Sequence, residues 1–75
     1  MMNDRYTEDK LRLLMQLRRN GITDTATLSA IEQIPRQLFV NEHFLDRCYE
    51  DTALPIDKDQ TISQPSVVAM MTQYL

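Results

Sequence analysis

Gly21 is the sole glycine among 75 residues, and a glycine-rich loop that wraps a nucleotide's phosphates needs several such residues able to adopt left-handed or crowded backbone conformations. A complete cofactor-binding enzyme is therefore not expected within these residues. Cysteine and histidine are as scarce: Cys48 and His43 stand alone, which excludes an internal disulfide and a thiol/imidazole zinc cluster. No metal is expected, and neither covalent nor metal staple is at hand for a small fold. Basic residues are outnumbered, eight against eleven acids, for a net charge of −3 and a pI near 4.9. That balance lacks the positive footprint a nucleic-acid backbone or an anionic membrane selects. Long apolar runs are missing too, and Met1-Met2-Asn3-Asp4-Arg5 has none of the apolar stretch of a signal peptide. The expectation is a soluble cytoplasmic chain with no nucleic-acid or membrane partner.

What is present is a globular composition, 43% hydrophobic and 25% charged, on a length that suits one small domain of marginal stability. Over residues 7–20, Leu11, Leu14, Met15 and Leu17 recur at helical spacing. Glu8 and Asp9 stand at the front of that helix, and Arg18 and Arg19 at the back, as the macrodipole favours. Thr7 suits the N-cap, and Asn20-Gly21 suits the left-handed end, with Ile22 returning onto the last turn. Asp24 is a cap for a second helix carrying Leu28, Ile31 and Ile34, which Pro35 stops. Broken helix and loop follow through residue 52. Leu54-Pro55-Ile56, the charged turn Asp57-Lys58-Asp59 and Gln60-Thr61-Ile62-Ser63 read as a short hairpin. Pro65 then opens a third helix, capped by Gln64 or Ser63, whose Val67, Val68, Met71, Tyr74 and Leu75 form one apolar face. That pattern is still running at Leu75 with no stop signal, so the chain is expected to be a fragment cut in or just after a helix.

Residue type alone offers little chemistry. His43 reads as a loop or surface residue and Cys48 as a small buried space-filler. Glu50 and Asp51 are an acid pair whose neighbouring positions point apart, a poor geometry for joint acid/base work.

Five stretches are more specific. Tyr49-Glu50-Asp51, Leu54-Pro55-Ile56, Gln60-Thr61-Ile62-Ser63-Gln64-Pro65 and Val67-Val68-Ala69-Met70-Met71 together closely resemble the N-terminal part of the protein-L-isoaspartate O-methyltransferases. Upstream, Ile34-Pro35-Arg36-Gln37-Leu38-Phe39-Val40 is similar to that family's Val-Pro-Arg-x-x-Phe-Val. Asp57 and Asp59 stand where the family commonly has glycine, Ser66 where an aromatic usually follows Gln-Pro, and Asn41 where proline often follows Phe-Val.

The resemblance implies transfer of a methyl group from S-adenosylmethionine to the carboxylate of L-isoaspartyl or D-aspartyl residues in damaged proteins, a repair reaction. It implies a mainly α segment with a short β-hairpin over residues 1–75, truncated before the α/β doubly wound methyltransferase core. On these residues the family's site carries over as Ser63 for catalysis and Gln60, Thr61, Ile62 and Ser63 for contact with the cofactor. S-adenosylmethionine is expected for the full-length parent and none for the fragment, which is expected to be inactive. Partners would be isoaspartyl proteins or peptides, and for the fragment a second copy of itself. A carboxylate is already ionised at neutral pH and needs no general base, so position is the requirement. The Ser63 hydroxyl and the N–H groups of Ser66 and Val67 at the helix start are the expected anion donors. The alternative from composition is a small acidic helical protein-interaction module. In it Ser63 merely caps the helix.

Overall fold

The computed structural model describes residues 5–56 and 58–75. Three helices, α1 (Arg5–Arg19), α2 (Thr25–Gln33) and α3 (Pro65–Gln73), enclose irregular chain and one hairpin of β1 (Leu54–Pro55) and β2 (Thr61–Ile62). The strands pair antiparallel, Leu54 opposite Ile62 and Pro55 opposite Thr61. The mainly α fold with a short hairpin is thus as expected. Asp57 of the hairpin turn lies outside the described residues. Its neighbours Lys58 and Asp59 have φ of 63° and 59°, left-handed backbone that aspartate tolerates better than lysine.

Helix α1 begins earlier than expected, and Thr7 lies inside it rather than at its cap. Its C-terminus behaves as the sequence suggests: Gly21 takes φ +101°, and the Ile22 and Gly21 N–H groups donate to the Leu17 and Arg18 carbonyls at 3.0 and 3.2 Å. That double closure satisfies carbonyls a helix end leaves open and drives Ile22 into the core.

The buried face of α1 differs from the expected stripe. Leu13 and Leu17 are fully buried, whereas Leu11 and Met15 are exposed. Tyr6, Lys10, Leu13 and Leu17 fall at i, i+4, i+7 and i+11, which is one helical face. Tyr49 explains the choice, since its ring lies 6.3 Å from that of Tyr6 and 5.5 Å from the Lys10 ammonium.

Asp24 caps α2 as expected, its carboxylate accepting from the Thr27 N–H at 2.9 Å and the Thr27 hydroxyl at 2.6 Å. Those bonds, the hydroxyl's first, hold the carboxyl below its ordinary value of 3.8. The cap's contribution is complete above that value and is lost as pH falls through the lowered one. Leu28 and Ile31 enter the core, but Ile34 stays exposed because Pro35 turns the chain away into 3₁₀ turns over Arg36–Leu38 and Glu42–Arg47.

Helix α3 packs on α2; it buries Pro65 and Ala69, and its long apolar residues are exposed. Gln73 fastens its far end: the side-chain oxygen accepts from the Thr23 and Asp24 N–H groups at 2.7 and 2.9 Å, and its amide donates to the Gly21 carbonyl at 3.0 Å. The clamp joins residues some fifty positions apart. No sequence signal marks Gln73 for this, because local patterning carries no information on contacts that distant.

Candidate functional site

The chain leaves β2 at Ile62 and enters α3 at Pro65, and this junction forms one wall of an apolar groove of about 430 Å³. Thr61, Ile62 and Ser63 line it, opposite Ile31, Ile34 and Phe39, with Arg36 contributing the charge. Gln60 is not on the wall; its carbonyl accepts from the Ile56 N–H at 2.9 Å and closes the hairpin. Three of the four loop residues singled out from the sequence therefore meet at one surface. Ser63 is exposed there.

Arg36 organises the surroundings. Only 6% exposed, it donates from Nε to the Cys48 carbonyl at 2.6 Å, from Nη1 to the Ser63 carbonyl at 3.2 Å and from Nη2 to the Thr52 carbonyl at 3.4 Å. Its backbone N–H donates to the Tyr49 hydroxyl, which donates in turn to Gln37 Oε1 at 2.5 Å. A planar guanidinium holds three carbonyls at fixed mutual angles, which an ammonium cannot do. Burial pulls its pKa below the ordinary guanidinium value, opposed by Cys48, Tyr49 and Asp51, and arginine stays charged regardless. Sequence patterning around Pro35 gave no hint that Arg36 was buried. A signal was nonetheless present, because Pro35-Arg36 sits in the stretch that carries the family resemblance.

The start of α3 corrects a second expectation. Pro65 has no N–H, Ser66 N–H donates to Asp51 Oδ1 at 2.8 Å, and Val67 N–H donates to the Gln64 carbonyl at 3.1 Å. The anion site expected from Ser66 and Val67 is already filled by the chain's own carboxylate. Asp51, fifteen residues away, supplies the helix cap, while Gln64 at the cap position gives no side-chain bond. Glu50 turns the other way, into a surface ion pair with Arg47 at 3.1 Å. The two adjacent acids thus part company. Cys48 is fully buried and His43 exposed.

Among the described residues no three metal-ligating side chains cluster, and no helix is long and apolar enough to cross a membrane. The groove's lining is apolar apart from Thr61, Ser63 and Arg36, and the Arg36 guanidinium is turned onto backbone carbonyls.

A model of the protein-L-isoaspartate(D-aspartate) O-methyltransferase family matches residues 8–75. Among curated relatives, the protein-L-isoaspartate O-methyltransferase of Rhodospirillum centenum is 65% identical over 66 residues, covering 88% of this chain and 30% of the relative. That of Paramagnetospirillum magneticum is 66% identical over 65 residues, 87% of this chain and 30% of the relative. The chain thus spans under a third of the length of these relatives. With nearly every described residue inside the match, the chain belongs to the protein-L-isoaspartate(D-aspartate) O-methyltransferase family.

Proposed function

We propose that these 75 residues are the N-terminal, acceptor-side part of an enzyme that methylates the carboxylate of L-isoaspartyl or D-aspartyl residues in damaged proteins. S-adenosylmethionine, the methyl donor, would be held by the rest of such an enzyme. The observation that carries the reading is the position of Ser63: exposed at the edge of the groove, its carbonyl held by the Arg36 guanidinium, just ahead of a helix whose cap Asp51 provides. An acceptor carboxylate needs an oriented hydrogen-bond donor and an approach free of water, and here the chain offers a hydroxyl and an apolar wall. Thr61, Ile62 and Ser63 are its contact segment.

Joining this chain to the part of the Rhodospirillum centenum relative that it does not cover gives the test. The fusion is expected to form methyl esters on an isoaspartyl peptide from labelled S-adenosylmethionine, and the 75-residue chain alone is not. Ser63→Ala in the fusion should lower kcat/KM by about 10- to 100-fold, or about 1.4–2.7 kcal/mol. A folded fusion without activity, or one indifferent to Ser63→Ala, defeats the reading.

Alone, the chain pairs with a second copy of itself through α3. Val68, Met71 and Tyr74 are 41%, 68% and 75% exposed, and a contiguous apolar face of that kind favours burial against a partner. A two-fold pairing hides both copies in one self-complementary contact. Sedimentation at tens of micromolar should give twice the 8.8 kDa chain mass, reverting to one chain on replacing Val68 and Met71 with glutamate. A single-chain mass before and after substitution rules the interface out.

A further inference from the structure

We infer that Arg36 and Asp51 are a pair of positioning residues that together fix where the Ser63–Ser66 junction presents its hydroxyl, an inference that rests on the acceptor-side reading above. Ser63 and Gln64 lie outside both β2 and α3, yet the junction is gripped on both sides. Arg36 Nη1 holds the Ser63 carbonyl at 3.2 Å, and Asp51 Oδ1 holds the Ser66 N–H at 2.8 Å. These two grips are not independent. The same guanidinium holds the Cys48 and Thr52 carbonyls on either side of Asp51, so it fixes the segment from which Asp51 reaches out. A closed ring results, running from Ser63 through Arg36 to residues 48–52, out along Asp51 to Ser66, and back through Gln64 and Pro65. Pro65 stiffens the closing arc by fixing its own φ.

Closure distinguishes this arrangement from an ordinary helix cap. A local cap would hold the helix start wherever the helix went, whereas a cap from Asp51 ties it to a distant frame. The direction of the Ser63 side chain is then set by the guanidinium plane rather than by the two-residue strand before it. Misplacing a group by about 1 Å can cost on the order of 100-fold in rate, so the ring has catalytic leverage without touching a reacting atom.

The test has two arms. In the 75-residue chain, Asp51→Ala should shift the Ser63 and Ser66 amide resonances and speed hydrogen exchange at Ser66 by about 10-fold or more, leaving the Leu17 and Leu28 amides unmoved. Asp51→Asn, which retains an oxygen acceptor, should restore most of the protection. In the fusion, Asp51→Ala should lower kcat at least tenfold with KM for S-adenosylmethionine unchanged, and Asp51→Asn should recover most of that loss. Should Asp51→Ala not fold, Asp51→Glu replaces it; an extra methylene keeps the charge but displaces the junction, and the same losses are expected. Unmoved Ser63 and Ser66 amides overturn the ring. Displaced amides with kcat within twofold of the parent overturn its positioning role. If the unsubstituted fusion itself is inactive, the acceptor-side reading fails, and the positioning role fails with it; the amide arm then still decides whether the ring exists.

Discussion

Replacing Arg36 with methionine should bring the 75-residue chain to the edge of unfolding at 25 °C, with folded and unfolded forms in comparable amounts. Three carbonyls, those of Cys48, Thr52 and Ser63, take their hydrogen bonds from this one side chain, and a buried acceptor stripped of its donor costs about 1–3 kcal/mol. Methionine relieves the cost of burying a charge and recovers some packing, so the net loss is about 3–4 kcal/mol. A single core of this size nets only about 3–5 kcal/mol, and the two figures nearly cancel. Arg36→Lys keeps the charge but cannot span three acceptors and should lose about half as much. Urea unfolding followed by circular dichroism measures both. An Arg36→Met midpoint equal to that of the parent would mean that the three carbonyls find water without penalty and that the guanidinium is dispensable to the fold.

The second large effect separates two residues that look alike in sequence. Leu17→Ala removes a fully buried side chain and should cost about 2–5 kcal/mol as lost transfer energy plus residual cavity. Met15→Ala, at a position 62% exposed, should stay within about 0.5 kcal/mol. A larger loss at Met15 than at Leu17 would show that α1 sits on the core by its other face.

That contrast marks where local sequence stops being informative. Residues 11–17 of α1 hold apolar side chains on two overlapping stripes, and periodicity cannot rank them. Tyr49 ranks them, by placing its ring against Tyr6 and Lys10 and so selecting Leu13 and Leu17. The helix ends at Gly21 and Asp24 were legible for the opposite reason. Asp24 bonds a residue three positions on, and the Gly21 and Ile22 N–H groups close carbonyls three and five positions back, respectively. The hairpin was legible from β-branched alternation around a charged turn. At the candidate site, Thr61, Ile62 and Ser63 were recognisable as a motif, but the Ser66 and Val67 donors were misassigned because nothing near them announces Asp51.

Sequence by itself determined the end of α1 at Gly21, the start of α2 at Asp24, the hairpin, the family and the residues of the loop, because each rests on interactions within a few positions or on a motif's order. Tertiary structure alone decided which face of α1 is buried, that Gln73 fastens α3 to the α1–α2 turn, and that Arg36 and Asp51 grip the Ser63–Ser66 junction. These contacts join residues 15 to 52 positions apart. Their donors and acceptors are ordinary polar side chains whose partners are backbone groups, and a backbone N–H or carbonyl is the same at every non-proline residue. Only the folded path of the chain says which one lies within reach.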